Sequence, residues 1–229
     1  MAARTREENS EVNHNNGAST PARALMSIAT TDPSGYVIER SMIANTKHRS
    51  RIAEHYNSNW GVAGHQIEFM RGPLRDLPPD FGVLEFASSG RRRMWTYATC
   101  GMPQPDDSVS IELHMFSAVQ ARGIVELLIA TAHYHRTAKP LGLGHTVNFG
   151  TPWSAGSKCE YGLVSLPYLD GPRLEKLDVG DKRIADFYWL IPISNSEVEF
   201  KKRFGLEALE AKFDEPLFNY LDPLRKSMV

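Results

Sequence analysis

Polar and apolar positions alternate along much of the middle of the chain. Within residues 108–116, Ile111, Leu113 and Met115 fall on one side of an extended backbone and Ser110, Glu112 and His114 on the other, the period-two pattern of a strand. Looser alternation over 66–70 and 82–86, and a run rich in aromatic and threonine side chains over 92–100, predict further strands. Gly72-Pro73 and Pro78-Pro79-Asp80 mark turns between them. More extended pieces are expected at 145–149, 161–166, 174–177 and 184–191. The last carries Phe187, Tyr188, Trp189 and Leu190, apolar on both faces, and so reads as a central strand.

The period changes to that of a helix over 117–135. Ile124, Leu127, Leu128 and Thr131 form a stripe that Val125, Ile129 and Ala132 widen, so this helix is expected to lie against a sheet. A shorter helix over 47–60 follows from Ile52, His55, Tyr56 and Trp60, with Gly61 as its stop. Ser194 followed by Glu197 has capping-box spacing and opens a helix that carries Val198, Phe200 and Phe204 and is broken at Gly205. A second helical piece follows over 206–213. Residues 1–31 hold few large apolar side chains, and with order expected from Lys47 residues 1–46 are read as a disordered or weakly ordered tail, leaving 47–229 as one domain without internal repeats. The fold class is α+β: a mixed, largely antiparallel β-sheet packed against helices.

Charge and cysteine usage narrow the function. The 229 residues carry 26 Lys and Arg against 27 Asp and Glu, which gives no general field to hold a polyphosphate or an anionic bilayer. Nucleic acid and membrane are therefore not the expected partners. Cys100 and Cys159 are the only cysteines, too few for a disulfide scaffold or a four-cysteine zinc site, and no apolar run approaches the roughly 20 residues that span a bilayer. A soluble, cytoplasmic protein is expected.

The candidate chemistry is sparse. Gly142-Leu143-Gly144 lacks the continuation of a nucleotide-binding loop, so no cofactor is expected, and no Gly-x-Ser-x-Gly elbow occurs. Cys100 at the end of an apolar strand reads as a small buried hydrophobe. Glu112 and His114 share a strand face and would make an acid and base pair, and His133, His135 and His145 add imidazoles. A metal-dependent or acid/base hydrolase built from Glu112, His114 and His133 or His145 is the rival reading. Against a metal site, positions two apart on a helix point about 200° from each other, which separates His133 from His135. Arg91-Arg92-Arg93 beside Trp95 and Tyr97 could suit a single strand of nucleic acid, but a short basic run in a neutral chain reads first as a solvated strand start or a guard against edge pairing.

Three segments together carry a resemblance. Trp95-Thr96-Tyr97-Ala98-Thr99-Cys100-Gly101-Met102 is similar to the aromatic strand ending in Thr-x-Gly-Met of the suppressor of fused domain family. Ile111-Glu112-Leu113-His114-Met115 resembles its Glu-Leu strand, and Leu190-Ile191-Pro192-Ile193 with Glu197 resembles its apolar strand, proline and downstream glutamate. Gly142-x-Gly144-His145 lies between them in the same order. The resemblance covers roughly 47–213, and it departs at Pro103, where the family often has serine. It implies a non-enzymatic α+β domain that binds another protein. The two-domain clamp of the animal member does not carry over to so short a chain. Single-domain bacterial relatives imply an immunity protein that masks a toxin. Tyr97, Glu112 and His114 are the expected partner-binding residues, since a polar face on a central strand needs a partner.

Overall fold

The computed structural model describes residues 35–67, 74–104, 106–180 and 182–229. Residues 1–34 of the expected tail and 68–70 of the first expected strand lie outside the described residues. Helix α1 spans Gly35–Trp60, so it starts ahead of Lys47, where the sequence pattern placed its beginning. Ile52, Tyr56 and Trp60 repeat every fourth residue and are all buried, and Gly61 ends the helix with φ at +67°.

Strands β1 (His65–Ile67), β2 (Gly82–Phe86), β3 (Trp95–Cys100) and β4 (Ile111–Ser117) pair successively and antiparallel. Helix α2 (Arg122–Thr137) follows β4, beginning later than the pattern suggested because Ser117 still belongs to the strand. Then come β5 (Thr146–Asn148), β6 (Cys159–Ser165), the helical turn α3 (Pro172–Glu175), β7 (Lys176–Gly180) and β8 (Arg183–Ser194). The piece expected to be extended over 174–177 is thus half helix, with Pro172 opening a turn that buries Leu174. Helices α4 (Asn195–Phe204) and α5 (Leu206–Phe213) complete the elements, hinged at Gly205 with φ at +91°.

Among the described residues these strands form an eight-stranded sheet in the order β1-β2-β3-β4-β8-β6-β5, with β7 also on β8. Strand β8 is its axis. It runs parallel to β4 over Asp186 to Trp189 and antiparallel to β7 along its first half and β6 along its second. It also continues through Pro192, where the sequence pattern ended it. Pro192 lies past the last residue paired with β4, and its carbonyl accepts from Arg225 at 2.9 Å, so that side of the backbone faces a side chain and no ladder bond is lost.

Alternation then sorts the core. Ile111, Leu113 and Met115 pack with Ile124, Leu128 and Ile129 of α2 on one face. The other face is shared: Ile52, Tyr56 and Trp60 of α1 cover Phe86, Ala98 and Phe187, while Val198 and Leu209 of α4 and α5 cover Phe116, Trp189 and Ile191. Glu112 and His114 project from β4 onto this second face, with His114 reaching the Trp60 ring at 5.6 Å between centroids.

Candidate functional site

Glu112 has no solvent exposure. Its Oε1 accepts the backbone N–H groups of Gly101 at 2.7 Å and Met102 at 3.0 Å, and its Oε2 accepts the Thr99 hydroxyl. Thr99 Oγ1 in turn accepts the N–H of Leu113 at 2.8 Å, where the β3–β4 ladder has run out. Gly101 sits at φ +100° with the Asp80 carbonyl oxygen 3.3 Å from where a Cβ would stand, a position only glycine takes without strain. One carboxylate therefore ties down the whole turn after β3. Burial pushes its pKa up to about 7, against the three hydrogen bonds that favour the ionised form.

His114 is equally inaccessible, and neither ring nitrogen has a hydrogen-bond partner. Its Nε2 lies 3.7 Å from Asp170 Oδ2, but that carboxylate is committed to Arg92, which grips it through both terminal nitrogens. Arg92 also lies over the rings of Trp60 at 4.8 Å and Phe116 at 5.0 Å. Burial lowers the His114 pKa to about 4 although Asp170 pulls the other way, so the ring is neutral and behaves as an aromatic filler between Trp60 and Phe116. His114→Phe should accordingly retain wild-type stability at pH 7. It should also remove the group's loss of stability on acidification from about pH 6.5 to 4, where the unfolded chain binds the proton that the folded ring refuses. Urea denaturation at pH 7 and pH 5 measures both; a loss above about 2 kcal/mol at pH 7 would mean that His114 makes a hydrogen bond the fold needs.

Tyr97 lies on the opposite face, unexposed, its hydroxyl accepting the N–H of Ala121 at 2.8 Å at the entry to α2. The three residues expected on a recognition surface are thus corrected to internal positions: Tyr97, Glu112 and His114 hold the fold and cannot touch a partner. Nor does the structure assemble the rival set. Glu112 is spent on the turn after β3, neither nitrogen of His114 is hydrogen-bonded, His133 Nε2 meets Asp76 at 3.1 Å, and His145 Nδ1 accepts the N–H of Gly142 at 3.1 Å. Among the described residues no three His, Cys, Asp or Glu side chains are grouped as metal ligands. Cys100 is buried in the α1 cluster, which raises its thiol pKa far above the range of a nucleophile.

What the surface does offer is a trench above the second sheet face. One hollow of about 530 Å³ lies between the end of α1 and the segment before β3, lined by Asn59, Trp60 and Arg91 to Arg93. A second, of about 440 Å³, lies between β6, β8 and α5, lined by Trp189, Ile191, Phe213 and Phe218 with Glu207 and Asp214 at its rim. Leu169 and Tyr220 line both hollows, so the two meet there. Tyr168 and Leu169 are 57% and 46% exposed, large apolar side chains open to solvent at the junction. Arg92, expected to be solvated with its neighbours, is instead half-buried on Asp170, while Arg91 and Arg93 are exposed.

Comparison with known proteins places this architecture. The family model described as suppressor of fused protein matches residues 78–226, most of the described sheet and all of α2 to α5. The chain belongs to the suppressor of fused family. A crystal structure of a suppressor of fused homolog from Neisseria gonorrhoeae superposes with a TM-score of 0.70 at 29% identity, covering 80% of this chain and 98% of that one. A chain of the Sufu–Fu complex and Drosophila Suppressor of Fused each give 0.59 at 16% identity, covering 77% and 78% of this chain, and 90% and 50% of theirs. The chain thus spans half the length of the Drosophila protein and nearly all of the bacterial one. No curated protein matches the sequence.

In this suppressor of fused domain the residues that carry the resemblance are therefore structural: Thr99, Gly101, Met102 and Glu112 form one hydrogen-bonded turn. Glu197 has a comparable role. Besides completing the capping box with Ser194, it takes Arg225 through both carboxylate oxygens, at 2.7 and 2.9 Å, and the N–H of Met228 at 3.0 Å. Arg225 and Asp170 carry no signal in the sequence, since each finds its partner across the fold and neither sits in a local pattern.

Proposed function

We propose that this suppressor of fused domain is a non-enzymatic, cytoplasmic protein that binds and masks another protein, a toxin, as an immunity protein does. The observation that supports the reading is the contrast between the two layers of the second sheet face. The ionisable groups of β4 are spent on internal hydrogen bonds or left dry, whereas the surface above them is an open trench with an aromatic floor and charged ends. Buried groups cannot turn over a substrate, while an apolar hollow with a polar rim suits protein recognition. A suppressor of fused chain is held with Fu in one of the structures of the same fold, which fits a family that works by association. No described helix is long and apolar enough to cross a membrane.

The test is recovery of the partner from the native host. The tagged chain, expressed at native abundance, should co-purify with one protein in stoichiometric amount. Producing that protein alone should arrest growth, and producing it with the chain should restore growth. Recovery of the chain alone, or of a partner whose expression is harmless, would overturn the masking role.

A further inference from the structure

The trench is asymmetric in charge, and its unpaired charges are sorted by end. Arg91 and Arg93 are exposed beside the first hollow, and Arg92, the remaining base there, is neutralised by Asp170. At the far end Glu207 and Asp214 are exposed on the rim of the second hollow, and Glu210, which accepts from the hydroxyls of Ser165 at 2.6 Å and Tyr168 at 3.1 Å, adds a further carboxylate to the same hollow. Among the described residues, Arg91, Arg93, Glu207 and Asp214 have no ion-pair partner. Between these ends Leu169 and Tyr220 line the junction, and Tyr220 packs on the nearly buried Trp189 at 5.3 Å between ring centroids. The exposed Tyr168 and Leu169 with the half-buried Tyr220 have the composition of an interface core, and the flanking charges that of its rim.

From this layout we infer that the trench is the docking surface for an extended segment of a protein partner that carries acidic side chains at one end, an aromatic or branched aliphatic anchor in the middle, and basic side chains at the other. This rests on the proposed binding role and adds its address and its chemistry. The acidic end lies against Arg91 and Arg93, the anchor enters at Leu169 and Tyr220, and the basic end lies against Glu207 and Asp214. The opposite ends fix the direction of the segment, because a reversed segment sets like charges together at both rims. A nucleic acid strand does not fit, since its uniform negative charge meets the acidic rim over half its length.

Site-specific photo-crosslinking tests the inference. A benzoylphenylalanine is placed at Leu169 in one full-length variant and at Glu126, exposed on α2 beneath the other sheet face, in a second. Both are expressed in the native host, irradiated, and their adducts sequenced by mass spectrometry; circular dichroism confirms that each is folded. The Leu169 variant should yield a protein adduct and the Glu126 variant none. The crosslinked partner segment should have the acid, anchor, base order, and adding Arg91→Glu with Arg93→Glu should cut the Leu169 yield at least tenfold. Adducts from Glu126 with silence at Leu169 would overturn the trench and leave the binding role standing. Silence at both positions would count against the binding role itself. A Leu169 adduct with a segment lacking that charge order, or a yield indifferent to the arginine reversals, would overturn the partner chemistry.

Discussion

Arg225→Ala should destabilise the domain by about 3–5 kcal/mol, the loss seen when one partner of a buried ion pair is removed and the other is left uncompensated. Its side chain is 5% exposed and that of Glu197 is 0% exposed, so water cannot replace the missing guanidinium. The cost goes beyond the pair. Arg225 also donates to the carbonyls of Pro192 and Lys226 and lies over the Phe218 ring at 5.0 Å, which pins residues 214–229 along β8 where no strand covers it. Releasing that segment removes Phe218 and Tyr220 from the trench, so partner binding should fall together with stability. For a chain of this length the change corresponds to a drop in Tm of about 6 °C or more. Arg225→Lys keeps a charge but loses the two-pronged contact and should fall between. A thermal melt of Arg225→Ala within about 2 °C of wild type would show that residues 214–229 dock by apolar contacts alone.

Glu112→Ala should cost about 3 kcal/mol or more, because it strands the N–H groups of Gly101 and Met102 in the interior and leaves a void where the carboxylate stood. Glu112→Gln keeps an oxygen for both amides and should cost about 1 kcal/mol, the price of rearranging the Thr99 hydroxyl. The two variants also differ from wild type in pH dependence. With the folded pKa raised to about 7 from 4.5, the folded protein binds more protons than the unfolded chain between those values. The stability contributed by Glu112 is therefore complete below about pH 4.5 and is lost as pH rises through 7. Replacing it by glutamine should flatten that decline. Denaturation curves at pH 5 and pH 8 measure the effect; an unchanged slope in Glu112→Gln would place the titration elsewhere.

Both effects turn on carboxylates, Glu197 and Glu112, that the sequence pointed to for different reasons. The Ser194 and Glu197 spacing declared a helix start, and the cap is there, but nothing local announced that the same carboxylate reaches a residue 28 positions on. Glu112 was legible as polar on a strand and illegible as buried. Alternation within residues 108–116 puts Glu112 and His114 on one face correctly, yet the inference that a polar face meets solvent or a partner fails, because α1 covers that face and the turn after β3 supplies its own donors. The strands, α2 and the α4–α5 pair emerged because hydrophobic period and caps are local. What did not emerge depends on tertiary context: the passage of β8 through Pro192, the helical turn at Pro172, and the trench, whose walls come from five separate stretches of chain. The triple arginine illustrates the same limit, since only the fold separates Arg92, gripping Asp170, from its two exposed neighbours.

Masking by association and inactivation by catalysis make opposite demands on stoichiometry, and titration of the recovered partner's activity against purified chain separates them. If the chain masks its partner, activity falls linearly to a fixed equivalence point that longer incubation does not move, and intact partner returns when the complex is dissociated in denaturant and the partner refolded. Progressive loss of an excess of partner to a trace of chain, with the partner chemically altered, would contradict masking.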